Sequence, residues 1–206
     1  MALLRTKPLK SITVKELTDL ADVNRATFYA HYSDVFDMAG QLRSSLRDVF
    51  RSLVEAHADE LERGRYRGLL ADIFAYFDKN EEALSVVLGP NADGSFLNDI
   101  IEVVRTASMQ AVASASGRDG APDPFVDAPA LCNYHFYFLA GGVSSILKTW
   151  VDHGRTEPID VMVDVANAYV TAVMGQLEPN VELFRRAGLT HDAATAASGI
   201  TTLAIA

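Results

Sequence analysis

Residues 11–32, SITVKELTDLADVNRATFYAHY, predict a helix, a tight turn and a second short helix. Thr13 and Glu16 have the spacing of a capping box, in which each side chain bonds the other residue's backbone N–H, so the first helix should start at about Thr13. Asp22 tolerates the left-handed conformation that a sharp turn requires. Asn24 is a favourable N-cap for the helix that follows. The segment therefore predicts a helix-turn-helix.

Apolar residues in this segment recur at helical spacing. Val14, Leu17 and Ala21 form one stripe on the first helix, which is expected to face a core. Phe28 and Tyr32 lie four residues apart on the second helix and are expected to pack inward. The second helix is thus predicted to have a packed side and a free side.

Donor-bearing side chains occupy the rest of the second helix, namely Arg25, Thr27, Tyr29 and His31. A recognition helix needs such groups, because its N-terminal residues reach base edges while hydroxyls and cations hold phosphates. The alternative is an ordinary amphipathic helix pair whose Tyr and His side chains are surface groups without a ligand. Spacing alone leaves both interpretations open.

Residues 9–38 resemble the DNA-binding domain of the TetR family, the tetracycline-repressor-like bacterial regulators, in the string ITV-KEL--LA-VNRATFY-HY-D. The form TFYxHYxD is similar to the subgroup of activators of dihydroxyacetone-kinase operons. Tyr134–Gly154 resembles, more loosely, that subgroup's ligand and dimer domain. The resemblance covers the chain up to about Arg186. It implies a dimeric repressor or activator that a small molecule releases from, or recruits to, an operator.

The resemblance also implies which residues contact DNA. Tyr29 and His31 would mostly hold phosphates, and Arg25 and Thr27 would lie nearest the bases. The full predicted set is Thr13, Lys15, Arg25, Thr27, Tyr29 and His31.

Two departures from the family pattern are expected to weaken DNA binding. Only Met1–Thr6 precede the motif's leading loop, so the family's first helix is at best a stub, unless the true start lies upstream. Val35 stands where the family usually has Lys, which removes one phosphate anchor and its share of the affinity. These departures keep an alternative open: a protein defective in operator binding that acts as a co-regulator through protein or ligand contacts.

Composition fits a globular intracellular protein. The 206 residues are 49% hydrophobic and 22% charged, which is ordinary for a folded domain. No apolar run reaches the roughly 20 residues of a membrane span, and the N-terminal apolar stretch is too short for a secretory signal. The single cysteine, Cys132, excludes an intrachain disulfide and suits the reducing cytoplasm. We therefore expect a cytoplasmic location and no membrane partner.

Charge is unevenly distributed along the chain. Residues 1–32 carry five Lys and Arg against three Asp and Glu, whereas the remainder carries thirteen against twenty-four, within a net charge of −9. A mildly basic head on an acidic body is consistent with a head that meets DNA, although so small an excess also arises by chance.

Helical periodicity dominates the remainder, so the fold class predicted is all-α. The predicted domains are a helix-turn-helix domain over 1–33 with a truncated first helix, a helical ligand-binding and dimerisation domain over 34–186, and a low-complexity tail over 187–206.

The predicted elements of the body are a helix from about Asp34 to Arg63 stopped by Gly64, a helix around Leu70–Phe77, a short helix over Glu81–Leu88 and a helix over Phe96–Ser116. They continue with a loop over Gly117–Pro129, a long helix around Val143–Trp150 and another from near Pro158 to about Gln176.

Two kinds of site are expected in the body. An effector pocket is predicted at Phe74, Phe77, Tyr134, His135 and Phe138, since ligand cavities are mostly apolar with a few polar groups. For each of these residues the alternative of plain core is the more common one. A dimer interface is predicted at Gly142, Ile146, Trp150, Tyr169 and Val173, where small residues on two apolar helices let a partner approach.

Catalytic and metal chemistry are not predicted. The sequence shows no Ser/His/Asp arrangement with a nucleophile elbow, no glycine-rich phosphate loop and no HExxH. Cys132 and His135 alone make a poor metal site. We expect no enzyme activity and no cofactor.

Overall fold

The computed structural model describes residues 2–80, 91, 97–106 and 129–189, and within these segments every regular element is a helix. The predicted all-α class is confirmed, with an N-terminal helix-turn-helix and a C-terminal helical domain. The elements are two short 3₁₀ turns, Ala2–Arg5 and Leu9–Ser11, then α1 (Val14–Ala21), α2 (Arg25–His31), α3 (Val35–Ala56), α4 (Ala58–Glu62), α5 (Arg67–Lys79), α6 (97–106), α7 (Pro129–Asp152), α8 (Ile159–Met174) and α9 (Leu177–Arg186).

The capping box of α1 forms as predicted. Thr13 Oγ1 accepts from the Glu16 backbone N–H at 3.3 Å, and Glu16 Oε2 accepts from the Thr13 backbone N–H at 3.0 Å. Lys7 forms an ion pair with the same carboxylate, which ties the preceding loop to the helix. The Lys7 ammonium and the bonds from Thr13 lower the pKa of Glu16 to about 2, so the box is charged at any physiological pH.

The turn and the next two helix starts also follow the prediction. Asp22 adopts the left-handed conformation with φ 53°. Asn24 Oδ1 accepts from the Thr27 backbone N–H at 2.7 Å, and Asp34 Oδ1 accepts from that of Asp37 at 2.8 Å. These caps set the register of α2 and α3.

The core of the helix-turn-helix differs from the prediction at one position. Ala21 is exposed, whereas Thr18 is buried. Thr18 tolerates burial because its hydroxyl donates to the carbonyl oxygens of Val14 at 2.9 Å and Lys15 at 3.0 Å, so no polar atom is left unsatisfied. Phe28 packs inward as expected, and Tyr32 is half-buried beside it.

The helix expected from Asp34 to Arg63 is in fact two helices, with a break at His57. His57 Nε2 lies 2.8 Å from Asp72 Oδ2 on α5, and its Nδ1 lies 3.1 Å from Glu60 Oε2 on α4. A Cβ at Gly68 would overlap the Glu60 carboxylate and lie 2.8 Å from the His57 ring, so a larger residue there would force these side chains to shift. The break thus follows from a contact between helices, and Gly64, with φ 67°, ends α4.

Stability should depend on pH through His57. Partial burial alone would lower the pKa of His57, but the hydrogen bonds to Asp72 and Glu60 outweigh burial and raise it above 6.5. A raised pKa in the folded state stabilises the fold fully below the unfolded value and loses that contribution as the pH rises through the folded value. We expect this contribution to be about 1 kcal/mol of unfolding free energy after a discount for the exposed carboxylates. It should be present at low pH and disappear as the pH rises through the raised pKa of His57.

Urea denaturation of wild type and His57→Gln over a series of pH values measures this contribution as the difference between the two proteins. Asp72→Asn should abolish most of the same difference, because it removes the main partner of the imidazole. An equal pH dependence in wild type and His57→Gln would contradict the assignment.

The body is built around α5. This helix packs against α3 and α8, and α7 packs against α8 and α9. The main core joins side chains from α3, α5, α6, α7 and α8, including Phe50, Phe74, Leu147 and Trp150. A second, smaller cluster of Leu131, Cys132, Leu177 and Val181 lies between α7 and α9.

Several predicted boundaries shift or lie outside the described residues. The helix that starts near Pro158 ends at Met174 rather than Gln176, and α9 follows it without having been predicted. The helix over Phe96–Ser116 is described only over 97–106. Glu81–Leu88, residues 117–128 of the expected loop and residues 190–206 of the tail lie outside the described part, and Pro129 belongs to α7. None of the described helices is both long and apolar enough to cross a lipid bilayer.

Candidate DNA interface and internal cavity

The second helix of the helix-turn-helix presents the predicted donors at the surface. Arg25, Thr27, Tyr29 and His31 are all exposed, with Tyr29 57% accessible. The Tyr29 ring rests edge-on against the buried Phe28 at 5.5 Å. This contact fixes the ring while leaving its hydroxyl outward.

Two of the six predicted DNA-contact residues are already engaged by the helix caps. Thr13 Oγ1 donates to Glu16 Oε2 at 2.7 Å. Thr27 Oγ1 donates to Asn24 Oδ1 at 3.1 Å. Their hydroxyl protons are therefore committed inside the motif. The capping role of Thr13 was predicted from its spacing to Glu16, whereas the bond from Thr27 to Asn24 was not predicted.

The other four residues have free donors. The side chains of Lys15, Arg25, Tyr29 and His31 form no hydrogen bond or ion pair with any residue in the described segments. Exposed donors without internal partners suit the phosphate oxygens and base edges of a nucleic acid.

Two alanines complete the outward surface of α2. Ala26 and Ala30 are exposed and lie two residues either side of Phe28, which places them on the side of the helix opposite the core. Methyl groups at these positions let the helix backbone approach a groove closely, and an alanine methyl can contact the thymine methyl group. This i, i+4 pair of small residues, out of phase with Phe28, is visible in the sequence, but only donor-bearing residues were predicted on this surface.

Val35 is buried at the first position of α3. The side chain that stands where the family pattern has Lys therefore packs into the head. This agrees with the expected loss of one phosphate anchor.

An internal cavity of about 180 Å³ lies in the body. It is bounded by six helices, α3 through α8, which contribute among others Phe50, Leu61, Phe77, Ile100, Phe136 and Val170. Among the described lining residues, side-chain oxygen comes only from the hydroxyls of Tyr66 and Ser144, and side-chain nitrogen from none. Much of the wall is also core, since Phe50, Phe77, Ile100 and Val170 belong to the main cluster.

The predicted pocket residues divide around this cavity. Phe77 lines it, whereas Phe74 is fully buried in the core beside Trp150. Tyr134 and Phe138 are each 67% exposed on the outer side of α7, so their assignment to the pocket is wrong. The one aromatic of this run that lines the cavity is Phe136.

His135 is likewise outside the cavity lining. It is buried between α7 and α9, where its Nε2 lies 3.2 Å from the Asn180 amide nitrogen. Burial lowers its pKa. Within the described residues no group of three or more His, Cys, Asp or Glu side chains is placed to hold a metal ion.

The outer sides of α7 and α8 each carry a stripe of apolar and small residues. On α7 the stripe consists of Tyr134, Phe138, Gly141, Gly142 and Ser145, and on α8 of Val161, Val165, Ala168, Tyr169 and Ala172; all are exposed. On α8 the polar residues Asp160, Asp164 and Thr171 lie to one side of this stripe. We call the two stripes together the outer face.

The predicted dimer residues fall partly on the outer face. Gly142 and Tyr169 lie on it, and Val173 and Ile146 are half-buried. The assignment of Trp150 is wrong: it is buried in the subunit core, where its ring lies 6.0 Å from that of Phe74 and its Nε1 donates to the Glu157 carbonyl at 2.9 Å. Because the indole N–H already has an acceptor inside the subunit, it does not need one from a partner.

Comparison with known proteins identifies the body. Residues 66–172, which span α5 to most of α8, match the TetR-type family model described as "Transcriptional regulator C-terminal region". The chain is also 26% identical over 110 residues to the uncharacterized HTH-type transcriptional regulator YxbF of Bacillus subtilis (strain 168). That match covers 50% of this chain and 28% of the relative. No solved structure matches significantly. The family match covers more than half of the chain, and a helix-turn-helix with an exposed donor surface precedes it. The chain therefore belongs to the TetR family of transcriptional regulators.

Proposed function

We propose that this chain is a homodimeric regulator that binds an operator through α2 and responds to a small molecule held in the internal cavity. The observation that carries the proposal is the outward surface of α2. There Arg25, Tyr29 and His31 have unengaged donors beside the small residues Ala26 and Ala30. This surface suits a groove of duplex DNA, in which cations and hydroxyls hold the backbone and the first turn reads bases.

The outer face supports a second copy as the partner. Its glycines, alanines and Ser145 permit close approach of helices, and its aromatic side chains supply apolar area. A two-fold dimer pairs one surface with itself, which a stripe on each of two adjacent helices allows. The two heads of such a dimer then reach two half-sites. Both contacts are needed because one short recognition helix does not give useful affinity.

The long helix α3 supports effector control. Three residues separate it from α2. It runs for 22 residues and contributes Phe50 to the cavity wall. A helix of this length spans about 33 Å. A ligand that displaces the cavity wall would therefore reposition a rigid element joined directly to the DNA-contacting head.

We also propose a subgroup and a cellular compartment for the protein. The string TFYAHYSD supports membership of the regulators that resemble activators of dihydroxyacetone-kinase operons. A regulator of bacterial operators acts in the cytoplasm, where the free thiol of Cys132 stays reduced.

The proposal is tested by fluorescence anisotropy of the full chain at fixed, near-physiological salt. One labelled duplex comes from the intergenic region upstream of its own gene, and the other is its scrambled counterpart. We expect tighter binding to the first duplex by at least about 1,000-fold, as for specific regulators. Equal binding to both duplexes by a folded, helical protein would overturn operator recognition.

The buried Val35 favours one alternative. A head that lacks a phosphate anchor fits a co-regulator that has lost operator binding and acts through protein or ligand contacts. That function predicts a stable fold and an intact outer face together with no sequence-selective DNA binding in the same titration.

Replacing Arg25 with Ala should relax specificity at one base position per half-site. Arg25 is the first residue of α2, where a recognition helix contacts base edges. Loss of a bidentate base contact costs about 1–3 kcal/mol of discrimination. The measurement is anisotropy against the operator and a set of single-base variants.

Two further variants calibrate this result. Tyr29→Phe should weaken binding to operator and scrambled duplex alike, because a phosphate contact carries no base information. Arg51→Ala removes an exposed arginine that pairs with Asp48 on α3 and should change neither affinity nor specificity. If Arg25→Ala weakened both duplexes equally, Arg25 would be a backbone contact.

A further inference from the structure

We infer that the effector is an uncharged, mainly apolar molecule of about ten non-hydrogen atoms that carries one hydrogen-bonding oxygen. The inference rests on the proposed function for the cavity's regulatory role, but it draws its chemistry from the cavity wall alone. Three features of the wall lead to it: its lack of charge, its size and its two hydroxyls.

The described residues of the wall disfavour a charged ligand. Every described lining residue is neutral, and all but two have apolar side chains. A carboxylate, phosphate or ammonium transferred from water into such a site loses its hydration and gains no counter-charge, which is strongly unfavourable. The charged groups nearest in sequence to the lining residues of α6 are turned elsewhere. Arg105 pairs with Glu102, and Asp99 lies 4.0 Å from Arg43 on α3.

The volume of the cavity limits the part of a ligand that it can enclose. Its volume of about 180 Å³ is slightly greater than the cavity of about 150 Å³, lined by Leu, Ile and Phe, that holds a benzene molecule. Sites for drug-sized ligands begin at about 300 Å³. One aromatic ring with a short substituent, or a branched chain of similar volume, fills the space.

The two polar lining residues are the basis for the oxygen of the ligand. Tyr66 precedes α5 and Ser144 lies in the middle of α7, and both residues line the cavity. Neither hydroxyl bonds a described residue. Burial raises the pKa of Tyr66, which keeps its phenol protonated and able to donate. A ligand alcohol or carbonyl oxygen would complete the hydrogen bonding of these groups.

The test compares three compounds that share one skeleton: 3-phenylpropan-1-ol, which is neutral, 3-phenylpropanoate, an anion, and 3-phenylpropylammonium, a cation. Isothermal titration calorimetry with the full chain should show the alcohol binding at least tenfold more tightly than either ion. Equal or tighter binding of an ion, or no binding of any of the three, would overturn the inferred chemistry.

Variants place the binding in the cavity. Ala140→Leu fills space at the wall and should abolish binding of the alcohol, whereas Ala56→Leu, at an exposed position, should leave it unchanged. Tyr66→Phe and Ser144→Ala should each weaken the alcohol by about fivefold without affecting propylbenzene, which has no oxygen. Full binding by Ala140→Leu would contradict the site.

The same compounds added to the operator titration separate this inference from the proposed function. If the alcohol binds in the cavity and leaves DNA affinity unchanged, the ligand chemistry holds and effector control fails. If instead an ion binds preferentially and alters DNA affinity, effector control holds and the ligand chemistry fails.

Discussion

Replacing Phe74 with Ala is expected to lower the free energy of unfolding by about 3–5 kcal/mol, as for other large core aromatics. Phe74 is 0% exposed on the central helix α5, and its ring packs 6.0 Å from that of Trp150 on α7. Its removal leaves a void among side chains of several helices that cannot all move to fill it. Since whole domains are stable by only about 5–15 kcal/mol, the loss is a large fraction of the total.

Urea denaturation at fixed protein concentration measures this loss. Phe36→Ala is the matched control, because Phe36 is 60% exposed at the start of α3 and its loss should change stability by less than about 0.5 kcal/mol. A cost below about 1 kcal/mol for Phe74→Ala would mean that α5 is not the centre of the core.

Replacing Tyr169 with Glu is expected to convert the protein to a monomer. Tyr169 is 63% exposed in the middle of the α8 part of the outer face. In a two-fold dimer the substitution places a carboxylate in the interface from each subunit, and burying an unpaired charge costs several kcal/mol. Operator affinity should fall with it, by at least about a hundredfold, because the two heads are no longer linked.

Sedimentation velocity over a range of concentrations detects the change in mass. Thr171→Glu introduces the same charge two residues away, on the polar side of α8, and should sediment like wild type. If Tyr169→Glu and wild type were both dimers of equal stability, the second copy would have to bind elsewhere.

The helix-turn-helix was largely predictable because its signals are local. The pair Thr13 and Glu16, the caps Asn24 and Asp34, and the left-handed Asp22 each act over three or four residues. Such hydrogen bonds are encoded in short spacings and do not depend on the rest of the chain.

The body was less predictable because its helices are apolar on more than one side. Residues 134–138 read YHFYF, which gives no periodicity from which to choose a face. Packing directs Phe136 to the cavity and His135 toward α9, and leaves Tyr134 and Phe138 outside. The break at His57 likewise depends on Asp72, fifteen residues away.

The helix α9 was not predicted for a related reason. Pro179 lies within its first turn, where proline is tolerated because the backbone N–H groups there lack helical partners. Its helical character depends on Leu177 and Val181 packing against Leu131 and Cys132 of α7, and that contact is not visible from the local sequence.

The cavity wall is also the main core, with Phe50, Phe77, Ile100 and Val170 common to both. Any molecule that binds in the cavity therefore stabilises the fold, to an extent set by its concentration relative to its Kd. In a cell, proteases remove the unfolded fraction of a protein, and 1–2 kcal/mol changes abundance several-fold. If the proposed effector occupies this cavity, it is expected to lengthen the lifetime of the protein as well as to alter its activity, so that effector concentration also sets the amount of protein in the cell.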